Sequence, residues 1–212
     1  MKTRLVTWLL AGLCMSLLSA CSRTVTWEEE VPLNTGEVIW VKRSMPWAYQ
    51  GGFGNPFDIA MRPTREQTLS FTYRGKEYSY TGRAGINWIA ISPQGQPVLV
   101  APAASFGWNT ANNYYCVTPY YVQFTPDETG KQWVWPEKID PWLYGLPANI
   151  MVNIPKLDES REARYSNADR NKRDQVYRLQ APSGKQVDPL YQEESGCIHR
   201  YDPSSKPTWT QK

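Results

Sequence analysis

The residues of this 212-residue chain whose types could do chemistry are few: four cysteines at 14, 21, 116 and 197, one histidine at 199, and three successive glutamates, Glu28 to Glu30. A thiolate at Cys116 activated by His199 would be a nucleophile, but an oxidising compartment would tend to oxidise it, with Cys197 ready as its disulfide partner. One histidine excludes every site that needs two, and a structural zinc site lacks ligands. Neighbouring residues on a strand point to opposite faces, so at most Glu28 and Glu30 stand together, as a solvated acidic face. Gly51-Gly52-Phe53-Gly54 fits neither the Walker nor the dinucleotide pattern, and no helical segment follows it. Neither G-x-S-x-G nor S-x-x-K occurs. No catalytic residue, no metal and no cofactor is therefore expected. A carboxylate pair for glycoside hydrolysis is the one constellation that spacing cannot reveal, because two distant acids can meet in any fold.

Cys21 has a different setting. Lys2 and Arg4 precede an uncharged stretch of 14 residues, Leu5 to Leu18, and Leu18-Ser19-Ala20-Cys21 follows. This is the pattern of a signal peptide over 1–20 ending in a small-residue cleavage site, and the stretch is shorter than the roughly 17 to 25 residues of a spanning helix. The tetrapeptide resembles the lipobox of bacterial lipoproteins. That resemblance implies a diacylglyceryl thioether on Cys21, cleavage before it and N-acylation after it, and so a membrane partner through the lipid. Ser22 in place of Asp implies, by the sorting rules of Gram-negative lipoproteins, the periplasmic face of the outer membrane. Residues 21–23 then form the whole tether. Further stretches, W-x-E-E-V-x-L-N-x-G-x-V-I-x-V-x-R from Trp27 to Arg43, Pro141 to Pro147 and Tyr165 to Arg170, resemble uncharacterised lipoproteins of Gram-negative bacteria, which implies no activity.

With Cys14 in the signal peptide and Cys21 acylated, Cys116 and Cys197 remain, and a disulfide between them is expected. It would close a loop of about 80 residues, worth on the order of 4.5 kcal/mol in the chain-entropy account. Without Lys2 and Arg4 the chain keeps 21 Lys+Arg against 20 Asp+Glu, a balance that predicts no attraction to nucleic acid.

The elements that must position these residues are mainly strands. With 17 Pro, 14 Gly and 13% aromatic residues, the composition is too rich in breakers for a helical bundle and too apolar for disorder. The expected fold is a single mainly β domain over 24–202, an antiparallel sandwich or barrel with long irregular loops and one short helical segment, followed by a flexible tail, 203–212. Thr24 to Leu33 and Glu37 to Val41 flank Asn34-Thr35-Gly36 as a hairpin. Gln67 to Thr81 forms another around Arg74-Gly75-Lys76, and Ile86 to Ala101 a third around Pro93-Gln94-Gly95. The apolar runs Ile86 to Ile91 and Val98 to Ala101 read as strands buried on both faces. Ser44 to Pro63, with three prolines and three glycines, reads as an irregular loop. Tyr114 to Phe124 and Gln132 to Ile139 read as strands, and the charged segment 156–185 as a surface helix begun near Ser166 and Asp169, or a mobile arm.

Aromatic load is the remaining signal. Nine Trp, thirteen Tyr and five Phe follow the signal peptide, many in expected loops. Trp47, Tyr49, Phe53, Trp108, Trp142 and Tyr144 form the candidate contact surface, since flat, partly apolar rings suit sugars and protein partners. The expected role is that of an outer-membrane-anchored structural or interaction protein of the cell envelope, meeting an envelope protein; the alternative is a glycan-binding module or glycan hydrolase near the cell wall. Loop aromatics gathered around a groove with paired carboxylates would favour the hydrolase, and scattered aromatics the interaction protein.

Overall fold

The computed structural model describes residues 22–52, 55–64, 66–102, 121–135, 139–159, 163–174 and 177–180. Cys21, Phe53, Trp108, Cys116, Cys197, His199, the signal peptide and the tail lie outside the described residues, as do the side chains of 51–59.

Two sheets face each other without closing into a barrel. The first contains β1 (Ser22–Pro32), β2 (Val38–Gly52), β3 (Asn55–Pro63), β4 (Gln67–Tyr73), β5 (Lys76–Gly82) and β10 (Ala163–Tyr165) in the order β10-β1-β2-β4-β5, with β3 on β2 beyond the end of β4. The second runs β6 (Trp88–Ile91), β7 (Pro97–Pro102), β8 (Tyr121–Pro126), β9 (Trp133–Val134) in that order. The protein is thus mainly β and sandwich-like, and all its pairings are antiparallel except β10, which lies parallel to β1.

The turns form where the chain can reach left-handed backbone. Arg74 and Gly75 both have positive φ, 50° and 77°, the requirement of a two-residue turn that matches strand twist. Gly36 (88°) and Gly95 (81°) turn the other two hairpins. Period-two alternation then decides which faces are buried. Val25, Trp27, Glu29 and Val31 of β1 point inward, with Val41, Arg43 and Met45 of β2 beside them.

Between the sheets, Val31, Val41, Leu69, Phe71 and Tyr80 meet Ile89, Ile91, Leu99, Val122, Phe124 and Trp133. The second sheet's other face, Trp88, Ala90, Val98 and Val100, is roofed by Leu143, Ala148 and Leu179. This third layer is why Trp88–Ile91 is buried throughout, as expected of a strand covered on both faces. Strand β6 is an edge, and its backbone is finished by two side-chain amides. Asn34 donates to Ile91 O (2.9 Å) and accepts from Ile91 N (2.7 Å). Asn149 donates to Ile89 O (2.7 Å) and Pro32 O (2.8 Å) and accepts from Ile89 N (2.9 Å).

The stretch expected as an irregular loop, Ser44 to Pro63, is instead the second half of β2 and all of β3. Pro46 is tolerated because β2 changes partner around it: Ser44 is opposite Thr68 of β4 and Trp47 opposite Pro63 of β3. Pro46 has only a carbonyl to satisfy there, and that accepts from Thr64 N at 2.7 Å. The Gly51/Gly52 step is a register shift in the β2–β3 ladder, a common use of glycine. The expected helix shrinks to α1 (Asn167–Arg173), with β10 ahead of it. Its start is as expected in place, and Asp169 completes the capping box: Asp169 N donates to Ser166 Oγ (3.2 Å) and Ser166 N to Asp169 Oδ2 (3.1 Å).

Candidate functional site

Four of the six proposed contact aromatics lie among the described residues, and these four are spread over separate parts of the domain. Phe53 and Trp108 lie outside the described residues. Trp47, on β2, packs inward with Val25, Trp27, Met45 and Met151, and its indole N–H has no hydrogen-bond partner among the described residues. Trp142, in the 3-10 turn Pro141–Leu143, and Tyr144 just after it pack on the roof over the second sheet; burial raises the Tyr144 pKa. Tyr49 alone is well exposed, at 57%.

Of the three glutamates, Glu28 and Glu30 are the outward pair that period two demands, and Glu29 is wholly buried. Its carboxylate accepts from Arg43 Nη1 (2.9 Å), Trp27 Nε1 (3.3 Å) and Met151 N (2.7 Å). Arg43 also donates to Met151 O (2.6 Å) and to Gln67 Oε1 (2.8 Å), and Gln67 passes the chain on to Ala84 O (2.5 Å). This network is structural. It ties β1, β2 and β4 to the segment around Met151, and its polar atoms face one another. A second strut stands beside it: Arg170 of α1, buried, donates to Ala148 O at 2.7 Å, and desolvation pulls its pKa down against the opposing pull of Glu29 and Asp174.

The open surface is the outer face of the first sheet, which the sequence reading did not single out. The register sets its rows. Thr26, Ser44, Thr68 and Thr81 lie side by side across β1, β2, β4 and β5, with the Thr68 and Thr81 hydroxyls 3.2 Å apart. The next row is Arg164, Glu28, Lys42, Ser70 and Ser79 across β10, β1, β2, β4 and β5. Arg164 Nε contacts Glu28 Oε2 at 2.8 Å, and its guanidinium lies 4.3 Å from the ring centre of Trp40, itself 41% exposed. Two shallow grooves of about 300 and 700 Å³ share Glu28 and Lys42. The signal available in the sequence was the polar half of the alternation in β1 and β2, with Trp40 as its one aromatic member.

Glu28 and Glu77 border the same groove but sit on β1 and β5, three strand spacings or about 14 Å apart at the backbone. Glycosidase carboxylates work about 5 to 9.5 Å apart, and Glu28 leans the opposite way, toward β10. Among the described residues no three of His, Cys, Asp or Glu stand close enough together to hold a metal ion. No helix of these residues is long and apolar enough to cross a membrane. No family model, curated protein or solved structure matches this chain.

Proposed function

We propose that this chain is an outer-membrane-anchored, periplasmic interaction protein of the cell envelope, held by lipid on Cys21, and that it meets an envelope protein with the outer face of its first sheet. The observation that carries the reading is the row Arg164, Glu28, Lys42 beside the Arg164–Trp40 stack. Trp and Arg are the side chains that most often dominate protein interfaces, and here they stand on rigid strands. The scattering of Trp47, Tyr49, Trp142 and Tyr144, and the separation of Glu28 from Glu77, weigh against a glycan hydrolase. A glycan-binding module is the second reading, favoured by the two hydroxyl-bearing rows beside an exposed indole. The expected disulfide between Cys116 and Cys197 belongs to the same periplasmic reading, and non-reducing peptide mapping tests it.

The test is a photoreactive residue in place of Thr72, exposed on this face, in cells carrying the full chain. One discrete protein adduct, lost on adding Trp40→Ala and Lys42→Glu, supports the proposal. Absence of a protein adduct, together with retention of the purified protein on cell-wall or outer-membrane glycan that the same substitutions abolish, moves the reading to the glycan-binding module.

A further inference from the structure

Strand β1 enters the first sheet at Ser22, opposite Ala48 of β2. Cys21 is the preceding residue, so covalent geometry puts its Cα about 3.8 Å away. From there β1 runs away from Cys21, and β2 runs back antiparallel. It passes the level of Ser22 and continues through Tyr49 to Gly52, paired with β3 from Trp47↔Pro63 to Gly52↔Asn55. Four residues at about 3.3 Å each carry this ribbon roughly 13 Å past Ser22. The ribbon therefore projects from the end of the domain where the lipid of Cys21 would be attached.

Its composition is poor in charge. From Ser44 to Pro63 the only charged side chains are Asp58 and Arg62, and aromatics stand at 47, 49, 53 and 57. Tyr49 and Gln50 are exposed. Exposed edge strands are ordinarily blunted with charge, and a two-stranded ribbon is marginal without something to pack on. Tyr and Trp, with an apolar body and a polar tip, are the residues of the bilayer interface.

We infer that the β2–β3 ribbon lies in the headgroup layer of the bilayer beside the lipid of Cys21, so that the domain is seated at two points. The inference rests on the lipidation reading. The headgroup layer is about 5 to 8 Å thick per leaflet, so a ribbon running roughly 13 Å past Ser22 spans it, with the exposed Tyr49 at headgroup level. The open backbone of its edges stops it there, since unpaired amides are costly in hydrocarbon. With one acid, Asp58, against one base, Arg62, the ribbon has no net charge, so this contact depends little on salt.

The experiment uses the full lipidated protein in vesicles of phosphatidylethanolamine and phosphatidylglycerol containing a phosphatidylcholine with a photoreactive diazirine in its acyl chain. Adducts are mapped by tryptic digestion, and acylation of Cys21 is read from the mass of peptide 21–23. The expected result is labelling of peptide 44–65, unchanged at high salt, with peptides 66–74 and 77–83 of β4 and β5 unlabelled. Tyr49→Asp with Gln50→Asp lowers the labelling of 44–65 by about tenfold, the cost of carrying charge into the interface, and leaves peptide 21–23 acylated. An acylated Cys21 with 44–65 unlabelled, or with equal labelling of the double variant, overturns this inference alone. An unacylated Cys21 overturns both it and the anchoring proposal.

Discussion

Replacing Glu29 with Leu removes a wholly buried carboxylate that accepts three hydrogen bonds. The substitution removes the acceptor of three donors, Arg43 Nη1, Trp27 Nε1 and Met151 N, and leaves Arg43, 3% exposed, with Met151 O and Gln67 as its remaining partners. Leaving one partner of a buried pair uncompensated costs about 3 to 5 kcal/mol. For a chain of this length that is a fall in Tm of about 6 to 20 °C. Arg43→Met, which strands the Glu29 carboxylate, costs a similar amount. The double variant Glu29→Leu with Arg43→Met buries no charge and loses less than the sum, with a coupling of at least about 2 kcal/mol, because each single variant bears the desolvation of an ion that the double variant lacks. Urea denaturation followed by tryptophan fluorescence measures all four species. As a surface control, Arg164→Ala breaks a pair exposed at 62% and 38% and costs under about 1 kcal/mol. Single losses below that control, or a double variant that loses the full sum, would refute the assignment of Glu29 and Arg43 as one structural unit.

Asn149→Ala removes two hydrogen bonds to Ile89 that finish the edge of β6 and one to Pro32 O of β1; thermal unfolding should show a loss of about 2 to 4 kcal/mol, the cost of unsatisfied Ile89 and Pro32 backbone groups. Gly130 (φ 76°) would bring an added Cβ within 2.7 Å of Glu77 O, whereas Gly36 (φ 88°) has open space around it. Gly130→Ala is therefore expected to cost about 2 kcal/mol or more, and Gly36→Ala about 1 kcal/mol, in the same melts. Asp127, Glu159 and Asp169 have pKa values held below the usual carboxylate range by Thr129, Arg173 and Ser166 respectively. Folded values below unfolded ones mean that this stability is fully present above about pH 4 and is lost as pH falls through the folded values. A Tm flat from about pH 5 to 8 and falling in acid is the expected profile, and Asp169→Asn should flatten part of the acid limb.

How much of this was legible follows from the range over which each feature is specified. Turns at Asn34 to Gly36, Arg74 to Lys76 and Pro93 to Gly95 need only a few residues with left-handed freedom, and all three are where local chemistry puts them. The doubly buried β6 and β7 were legible for the same reason, since a run apolar on both faces needs cover on both. Strand β2 beyond Val41 was not. Pro46 reads as a breaker until it is known that β4 ends and β3 begins around it, a fact set by residues some 20 positions away. The Glu29–Arg43 pair was half visible, as one glutamate on an apolar face. Its partner became identifiable only through the β1–β2 register, in which Arg43 sits opposite Trp27, next to Glu29 on the same inner face. The outer face was present in the sequence as ordinary polar alternation, which carries no mark of function until four strands align it.

Strand β10 closes the sheet by lying against β1, with Ala163 opposite Trp27, a separation of 136 residues along the chain. A chain that emerges N-terminus first at about 5 to 20 residues per second exposes that edge of β1 for roughly 7 to 27 s before its cover exists. The β1–β2 and β4–β5 hairpins can each close in about 1 to 10 μs. In order of synthesis, then, the edge of β1 is the last part of this sheet to find its cover, and an uncovered edge is the kind of template on which a second copy could pair. Glu28 and Glu30 sit on that edge strand, and the same charges later take Arg164 (2.8 Å) and the N–H of Asn167 (3.0 Å) as partners. Charge of this kind on an edge strand disfavours pairing with another copy, and in the folded domain the same two carboxylates fasten the sheet's own last strand and helix.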